Sequence, residues 1–204
     1  MKLYQLPMSN ASFKVRALLS ELGIDCELVS VDMSKGAHKA PEFLKMNPNG
    51  KIPVLEDNGF VVWESNAIIC YLAALKPEKG LLPTDPKGMA LVHQWLQWQA
   101  TTLSGSVLEV MMQTVYARML GRQKDEAKLA AGLEKVQRDL GTLEMGLGDK
   151  EYICGKLSIA DFSLVSAIQP RAHMGFDLEA FPKVKAWTAR MESRESVRKS
   201  IPEL

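Results

Sequence analysis

Asn47-Pro48-Asn49-Gly50-Lys51-Ile52-Pro53-Val54-Leu55-Glu56-Asp57-Asn58-Gly59-Phe60-Val61-Val62-Trp63-Glu64-Ser65-Asn66-Ala67-Ile68 is the most informative stretch of the chain. It reads as a turn, a strand, a tight hairpin, a second strand and a helix start. Asn58-Gly59 between two apolar runs is a hairpin signal, because a type I′ turn needs two residues at positive φ. Pro53 opens the strand Pro53–Glu56 and is a candidate cis proline, a geometry that costs an X-Pro bond only about 0.5–1 kcal/mol. Ile52, just before it, is read as offering its main-chain N–H and C=O to an extended ligand. Ser65 is expected to cap a helix over Asn66–Lys76. A helix N-terminus with a carboxylate beside it, here Glu64, holds both an anion and an ammonium. Backbone pairing, an anion site and a cation site in one segment suit a zwitterionic peptide.

The ordered string Asn47-Pro48-Asn49-Gly50-Lys51-Ile52-Pro53-Val54-Leu55-Glu56-Asp57, followed by Glu64-Ser65, resembles the glutathione-binding segment of cytosolic glutathione transferases. The preceding Gly36-Ala37-His38-Lys39-Ala40-Pro41-Glu42-Phe43-Leu44-Lys45-Met46 is similar to the phi and theta-like classes. The likeness spans most of the first 80 or so residues, with weaker signals beyond.

Composition narrows the function further. Among 204 residues, 25 are basic and 24 acidic, for a formal charge of +1, and 47% are hydrophobic. Neither charge sign is massed in a block, so nucleic acid and anionic membrane are not expected partners. No run of about 18 apolar residues marks a membrane span. Met1-Lys2-Leu3-Tyr4-Gln5-Leu6 meets Pro7 before any apolar core of a secretory leader. Cys26, Cys70 and Cys154 are scattered and odd in number, which argues against a disulfide framework. The expected compartment is the reducing cytoplasm. His38, His93 and His173 are dispersed, and no cluster has metal-ligand spacing, so no metal is expected.

Lys2–Gln5 reads as a strand and Ala11–Leu22 as a helix ended by Gly23. Cys26–Val31 is a second strand, expected to lie parallel to the first. The hairpin and a helix from Asn66 complete a β-α-β, β-β-α order, that of a thioredoxin-like fold. Residues 77–86, with three prolines and a glycine, read as a linker. Beyond it no strand pattern appears. Helices are expected over Lys87–Leu120, bent near Gly105, over Asp125–Leu147, over Ser158–Gln169, and over Pro182–Arg194. Ser158-Ile159-Ala160-Asp161 is a capping box. The expected architecture is α/β plus all-α: a thioredoxin-like N-terminal domain over residues 1–76, the linker 77–86, and an all-helical C-terminal domain over 87–204.

Oxidoreductases of thioredoxin-like fold place C-x-x-C at the start of the first helix. This chain has Ser9-Asn10-Ala11-Ser12 there, so dithiol exchange at that position is excluded. No nearby base activates a serine as nucleophile. A serine there donates a hydrogen bond to a bound thiolate, and that bond and the helix N-terminus lower the thiol pKa. From the residues alone, capping and thiolate contact weigh equally. The resemblance assigns the thiolate to Ser9, with Ser12 as the alternate, since the sequence departs from the common phi pattern between them. It also implies that His38 and Lys39 take the glycine carboxylate of glutathione; Lys51, following Gly50, is read either as a further cation for that carboxylate or as a plain surface lysine. Ile52, with Pro53, pairs the cysteinyl unit, Ser65 takes the γ-glutamyl carboxylate, and Glu64 takes the ammonium.

Met111, Met112, Val115, Tyr116 and Met119 crowd one stretch of the long helix. They are read either as plain helical core or as a pliable pocket for a second, hydrophobic electrophile. Trp95, Trp98 and Trp187 are read as core. The resemblance implies a homodimeric, cytoplasmic, detoxifying transferase whose co-substrate is glutathione. A glutathione-dependent peroxidase or disulfide reductase, and a non-catalytic binder of apolar ligands, remain as alternatives.

Overall fold

The computed structural model describes residues 1–202. The chain divides into two compact units, Met1–Leu82 with Ser193–Leu204, and Pro83–Glu192.

In the first unit, strand β1 (Lys2–Gln5), helix α1 (Asn10–Leu22), strand β2 (Glu27–Ser30), short helix α2 (Pro41–Met46), strands β3 (Val54–Asp57) and β4 (Phe60–Trp63), and helix α3 (Ser65–Ala74) follow in order. The four strands form one sheet in the order β2-β1-β3-β4. The β1–β2 pair is parallel, while β1–β3 and β3–β4 are antiparallel. Strand alternation puts the pair Leu3–Leu55 on one face, fully buried. On the other face Tyr4, Val54 and Val61 pack with Val31 and Phe43. Phe43 lies on α2, a helix absent from the sequence reading, and meets the Tyr4 ring edge-on at 6.4 Å. Its six residues begin with Pro41 at the first turn. So short an element shows less than two turns of periodicity, and the packing of Phe43 rather than a pattern holds it.

Helix α1 ends at Gly23, with φ 65. Asn58 and Gly59 both sit at positive φ, 50 and 87, as the type I′ turn requires. Burying α1 against α3 and against α11 (Glu195–Arg198) completes this unit's core. The expected all-helical domain ran through residue 204, yet Ser193 onward clusters with the first unit. The cause is polar as well as apolar. Arg194 and Ser196 both hydrogen-bond the carboxylate of Glu21, and Arg16 donates to the carbonyl of Ser200.

The second unit holds α4 (Pro86–Trp98), α5 (Ser104–Gln113), α6 (Val115–Met119), α7 (Glu126–Leu147), α8 (Ile159–Ile168), α9 (Arg171–Met174) and α10 (Pro182–Ser193, whose last residue counts with the first unit). The single long helix expected over Lys87–Leu120 is interrupted twice. Gln99–Leu103 winds as a π-helix, and Thr114 leaves helical geometry at φ −111, ψ −77. Buried Gln99 donates to Ser104 Oγ at 2.7 Å and accepts from Ser163 Oγ at 3.0 Å, which ties the π turn to α8. Helix α8 is buried along its whole length. The expected capping box forms: the Asp161 carboxylate accepts the Ser158 amide at 2.9 Å, and also the Trp187 indole N–H and the Ile153 amide at 2.9 and 3.0 Å. Trp95 and Trp187 are core, and Trp98 is half-buried, its ring 5.3 Å from that of Trp95.

Candidate functional site

Three loop-to-element junctions of the first unit carry the residues singled out by the sequence. The first is the start of α1. Ser9 is the N-cap, in extended backbone, and its Oγ accepts the Ser12 amide at 3.3 Å. The loop before it is held by Arg16, which donates to Gln5 Oε1 at 2.7 Å and to the Pro7 carbonyl at 2.9 Å. Ser9 is half-buried, while Ser12 is fully enclosed and its Oγ has no hydrogen-bond partner among the described residues. The two hydroxyls that the sequence left as alternates are therefore separated by accessibility.

The second junction joins α2 to β3. Asn47, almost fully buried, donates to the Lys51 carbonyl at 2.7 Å and accepts the Asn49 amide at 3.0 Å. Gly50 closes that turn at φ 58, and a Cβ on it would stand 3.0 Å from the His38 carbonyl oxygen. Only glycine lets the turn approach the Ala37–Lys39 segment so closely. Lys39 and Lys51 are exposed. His38 is half-buried, with its Nδ1 enclosed and unpartnered among the described residues. The Ile52–Pro53 peptide is cis.

The third junction runs from β4 into α3. Here the structure corrects an expectation: Ser65 is the first helical residue, and Glu64 occupies the cap position without any side-chain capping bond. Glu64 sits at φ 69, ψ 113. A non-glycine residue in that region carries about 1–3 kcal/mol of strain and clusters at ligand sites. The helix end thus keeps its first-turn donors unspent by a cap, with Ser65 half-buried and Glu64 exposed beside it.

One participant at this junction was missed. Lys14 of α1 is only 3% exposed, and its Nζ donates to Asn66 Oδ1 at 2.8 Å. Burial lowers its pKa to about 7, against the opposing pull of the Glu64 carboxylate. The signal was present: Lys14 stands three and four residues before Ala17 and Leu18, on the helix's apolar stripe.

The methionine-rich stretch lies in the second unit. Met111 is buried at 6% exposure, Met112 is 44% exposed, and Tyr116 is half-buried, so the segment divides between core and surface. A cleft of about 510 Å³ in that unit is lined by Arg118, Arg122, Lys124, Leu129 and His173 among others, and not by Met111, Met112 or Tyr116. Cys70 is half-buried, and burial raises its thiol pKa. Among the described residues no helix is long and apolar enough to cross a membrane, and no three His, Cys, Asp or Glu side chains gather as a metal site.

The first unit thus combines a thioredoxin-like fold with a serine at its first helix start, a cis proline before its third strand and an acidic residue at positive φ at a later helix N-terminus, and the second unit is helical. The family model "Glutathione S-transferase, N-terminal domain" matches residues 1–74, and "Glutathione S-transferase, C-terminal domain" matches residues 107–195. The chain is 34% identical over 206 residues to the probable glutathione S-transferase GSTF2 of Oryza sativa subsp. japonica, covering 98% of this chain and 94% of that protein. Glutathione S-transferase I from mais, solved with an atrazine glutathione conjugate, superposes with a TM-score of 0.88 at 33% identity, covering 98% of this chain and 95% of that one. The theta class glutathione S-transferase from the citrus canker pathogen Xanthomonas axonopodis pv. citri, solved with glutathione bound, superposes with a TM-score of 0.91 at 27% identity, covering 100% and 97%. The chain belongs to the glutathione S-transferase family, and it is a transferase.

Proposed function

We propose that this protein conjugates the thiolate of glutathione to electrophilic, mostly apolar small molecules, with Ser9 as the hydrogen-bond donor to the sulfur. The observation that carries this reading is Ser9, half-buried at the start of α1, which caps the helix through its hydroxyl oxygen. A hydrogen bond to the charged sulfur and the positive end of the helix both favour the thiolate. The thiol proton passes to solvent, the sulfur's electron pair forms the bond to the electrophilic carbon, and in a displacement the leaving group departs with its own pair.

His38, Lys39 and Lys51 are assigned to the glycine carboxylate. The enclosed, unpartnered Nδ1 of His38 fits a polar ligand there. Ile52, ahead of Pro53, pairs the cysteinyl main chain. Ser65, at the N-terminus of α3, takes the γ-glutamyl carboxylate, and Glu64 takes the ammonium. Residues 1–76 serve as the glutathione-binding domain, 77–86 as linker, and the helical residues 87–192 supply the second-substrate pocket from Met111, Met112 and Tyr116. The active species is a homodimer, the commonest closed assembly, and it works in the cytoplasm, in keeping with three unpaired cysteines.

The test is a substrate panel. Conjugation of glutathione to a chloronitrobenzene, with slower or absent turnover of a hydroperoxide, is the expected result. Turnover of hydroperoxide alone, or of neither, contradicts the proposal. Light scattering at micromolar concentration is expected to give twice the mass of 22.6 kDa.

A further inference from the structure

Lys14 sits on the face of α1 that packs against α3, flanked by buried Phe13, Ala17 and Leu18. Its Nζ bonds Asn66, the second residue of α3, directly behind Ser65. Lysine is almost never fully buried without a purpose for its charge. Glu64, at the cap of α3, is the acidic group that acts on it. The remaining titratable side chains of α3 are Cys70 and Tyr71, and Tyr71 donates to Asp57 at 2.8 Å. On α1 itself, Arg16 is committed to Gln5, Pro7 and Ser200, and Glu21 to Arg194 of the C-terminal segment. On α11, Glu195 pairs with Lys199, and Arg198 is exposed.

We infer that Lys14 is a positioning residue for the glutathione carboxylate site: it orients Asn66 at the N-terminus of α3 and places a protonatable charge behind that end, so the anionic γ-glutamyl group binds more tightly when Lys14 is charged. The inference rests on the assignment of this helix end to the γ-glutamyl carboxylate. Because Lys14 titrates at about 7, the bound anion raises that value and binding takes up a proton near neutrality. Affinity then falls as pH rises past 7. Thiol ionisation acts in the opposite direction on turnover, so the two effects separate as KM against kcat.

S-methylglutathione, which has no ionisable thiol, is the probe, titrated calorimetrically into the full chain at about pH 6 and about pH 8.5. The Kd of the parent is expected to rise about three- to tenfold, since a pKa raised by up to one unit changes affinity by up to about tenfold. Net proton uptake at pH 7 should appear in buffers of differing ionisation enthalpy. Lys14→Met should lose the pH dependence and bind at both pH values no more tightly than the parent at high pH, since it loses both the charge and the donor to Asn66, and Lys14→Arg should bind at both like the parent at low pH. A parent with a flat Kd and no proton uptake overturns the inference without any variant, as does a Lys14→Met protein that keeps the slope. Ser65→Ala tells the two readings apart: binding equal to the parent's at both pH values fails the helix-end site itself, whereas weakened binding beside a pH-flat parent fails only the role of Lys14.

Discussion

Ser9 Oγ accepts the backbone N–H of Ser12 at 3.3 Å, a bond that occupies an acceptor lone pair and leaves the hydroxyl proton of Ser9 uncommitted to it. The capping and thiolate roles, alternatives on sequence grounds, are thus compatible in one residue. Ser12 contributes its amide to this arrangement, while its Oγ is enclosed without a hydrogen-bond partner among the described residues.

Ser12→Ala should therefore be neutral or stabilising by up to about 1–2 kcal/mol, because it removes a buried unsatisfied hydroxyl. Urea denaturation of parent and variant measures it. A loss above about 1 kcal/mol would show that Ser12 Oγ has a polar role in the folded protein.

The N-terminus of α3 carries the affinity prediction. Glu64→Ala and Ser65→Ala should each weaken glutathione binding by about 1–3 kcal/mol, the cost of leaving one ionic end of the ligand without its partner. Removing Glu64 also relieves nothing of the backbone geometry at φ 69, since alanine is strained there too. Glu64→Gly should accordingly gain stability while losing affinity. Calorimetry in which both alanine variants bind like the parent contradicts the site.

Lys14 makes stability pH-dependent with a definite sign. Its pKa is lowered from 10.5 in the unfolded chain to about 7 in the fold. Below 7 both states hold the proton and no slope arises. Between the two values the unfolded state binds more protons, so stability rises with pH, by at most about 1.4 kcal/mol per unit. Denaturation midpoints at several pH values should show the parent gaining on Lys14→Met across this window. Parallel curves for the two proteins contradict the burial of a charged amine at this position.

Asp161 accepts from Ser158, Ile153 and Trp187 inside the helical unit. Asp161→Ala leaves several enclosed donors unpaired and should cost at least about 3 kcal/mol, lowering Tm by many degrees. Trp187→Phe removes one donor and should cost less. Equal, small losses for both would contradict the network.

Much of the first unit was legible because local chemistry specified it. Asn58-Gly59 names its own turn and Gly23 its helix end, and in the second unit Ser158 with Asp161 names a helix start, each through a conformational need that few residues meet. Ser65 misled, because serine's capping preference outweighs anything in the sequence that marks Glu64 as a positive-φ residue at the cap. The π turn at Gln99 was hidden because its bonds to Ser104 and Ser163 join positions up to 64 residues apart. Lys14 was missed although its spacing to Ala17 and Leu18 places it on the apolar stripe of α1, the helix that packs on α3.

The most direct test of the account is the thiolate absorbance near 240 nm of glutathione bound to the parent, to Ser9→Ala and to Ser12→Ala, followed across pH. Loss of a hydrogen bond to a charged acceptor is worth about 1.5–3 kcal/mol, so the bound thiol pKa should rise by about 1–2 units in Ser9→Ala, with affinity little changed and turnover partly restored at alkaline pH. Ser12→Ala should titrate like the parent. A Ser9→Ala protein that keeps the parent's titration curve, whether or not Ser12→Ala shifts it, would contradict the assignment of the thiolate to Ser9.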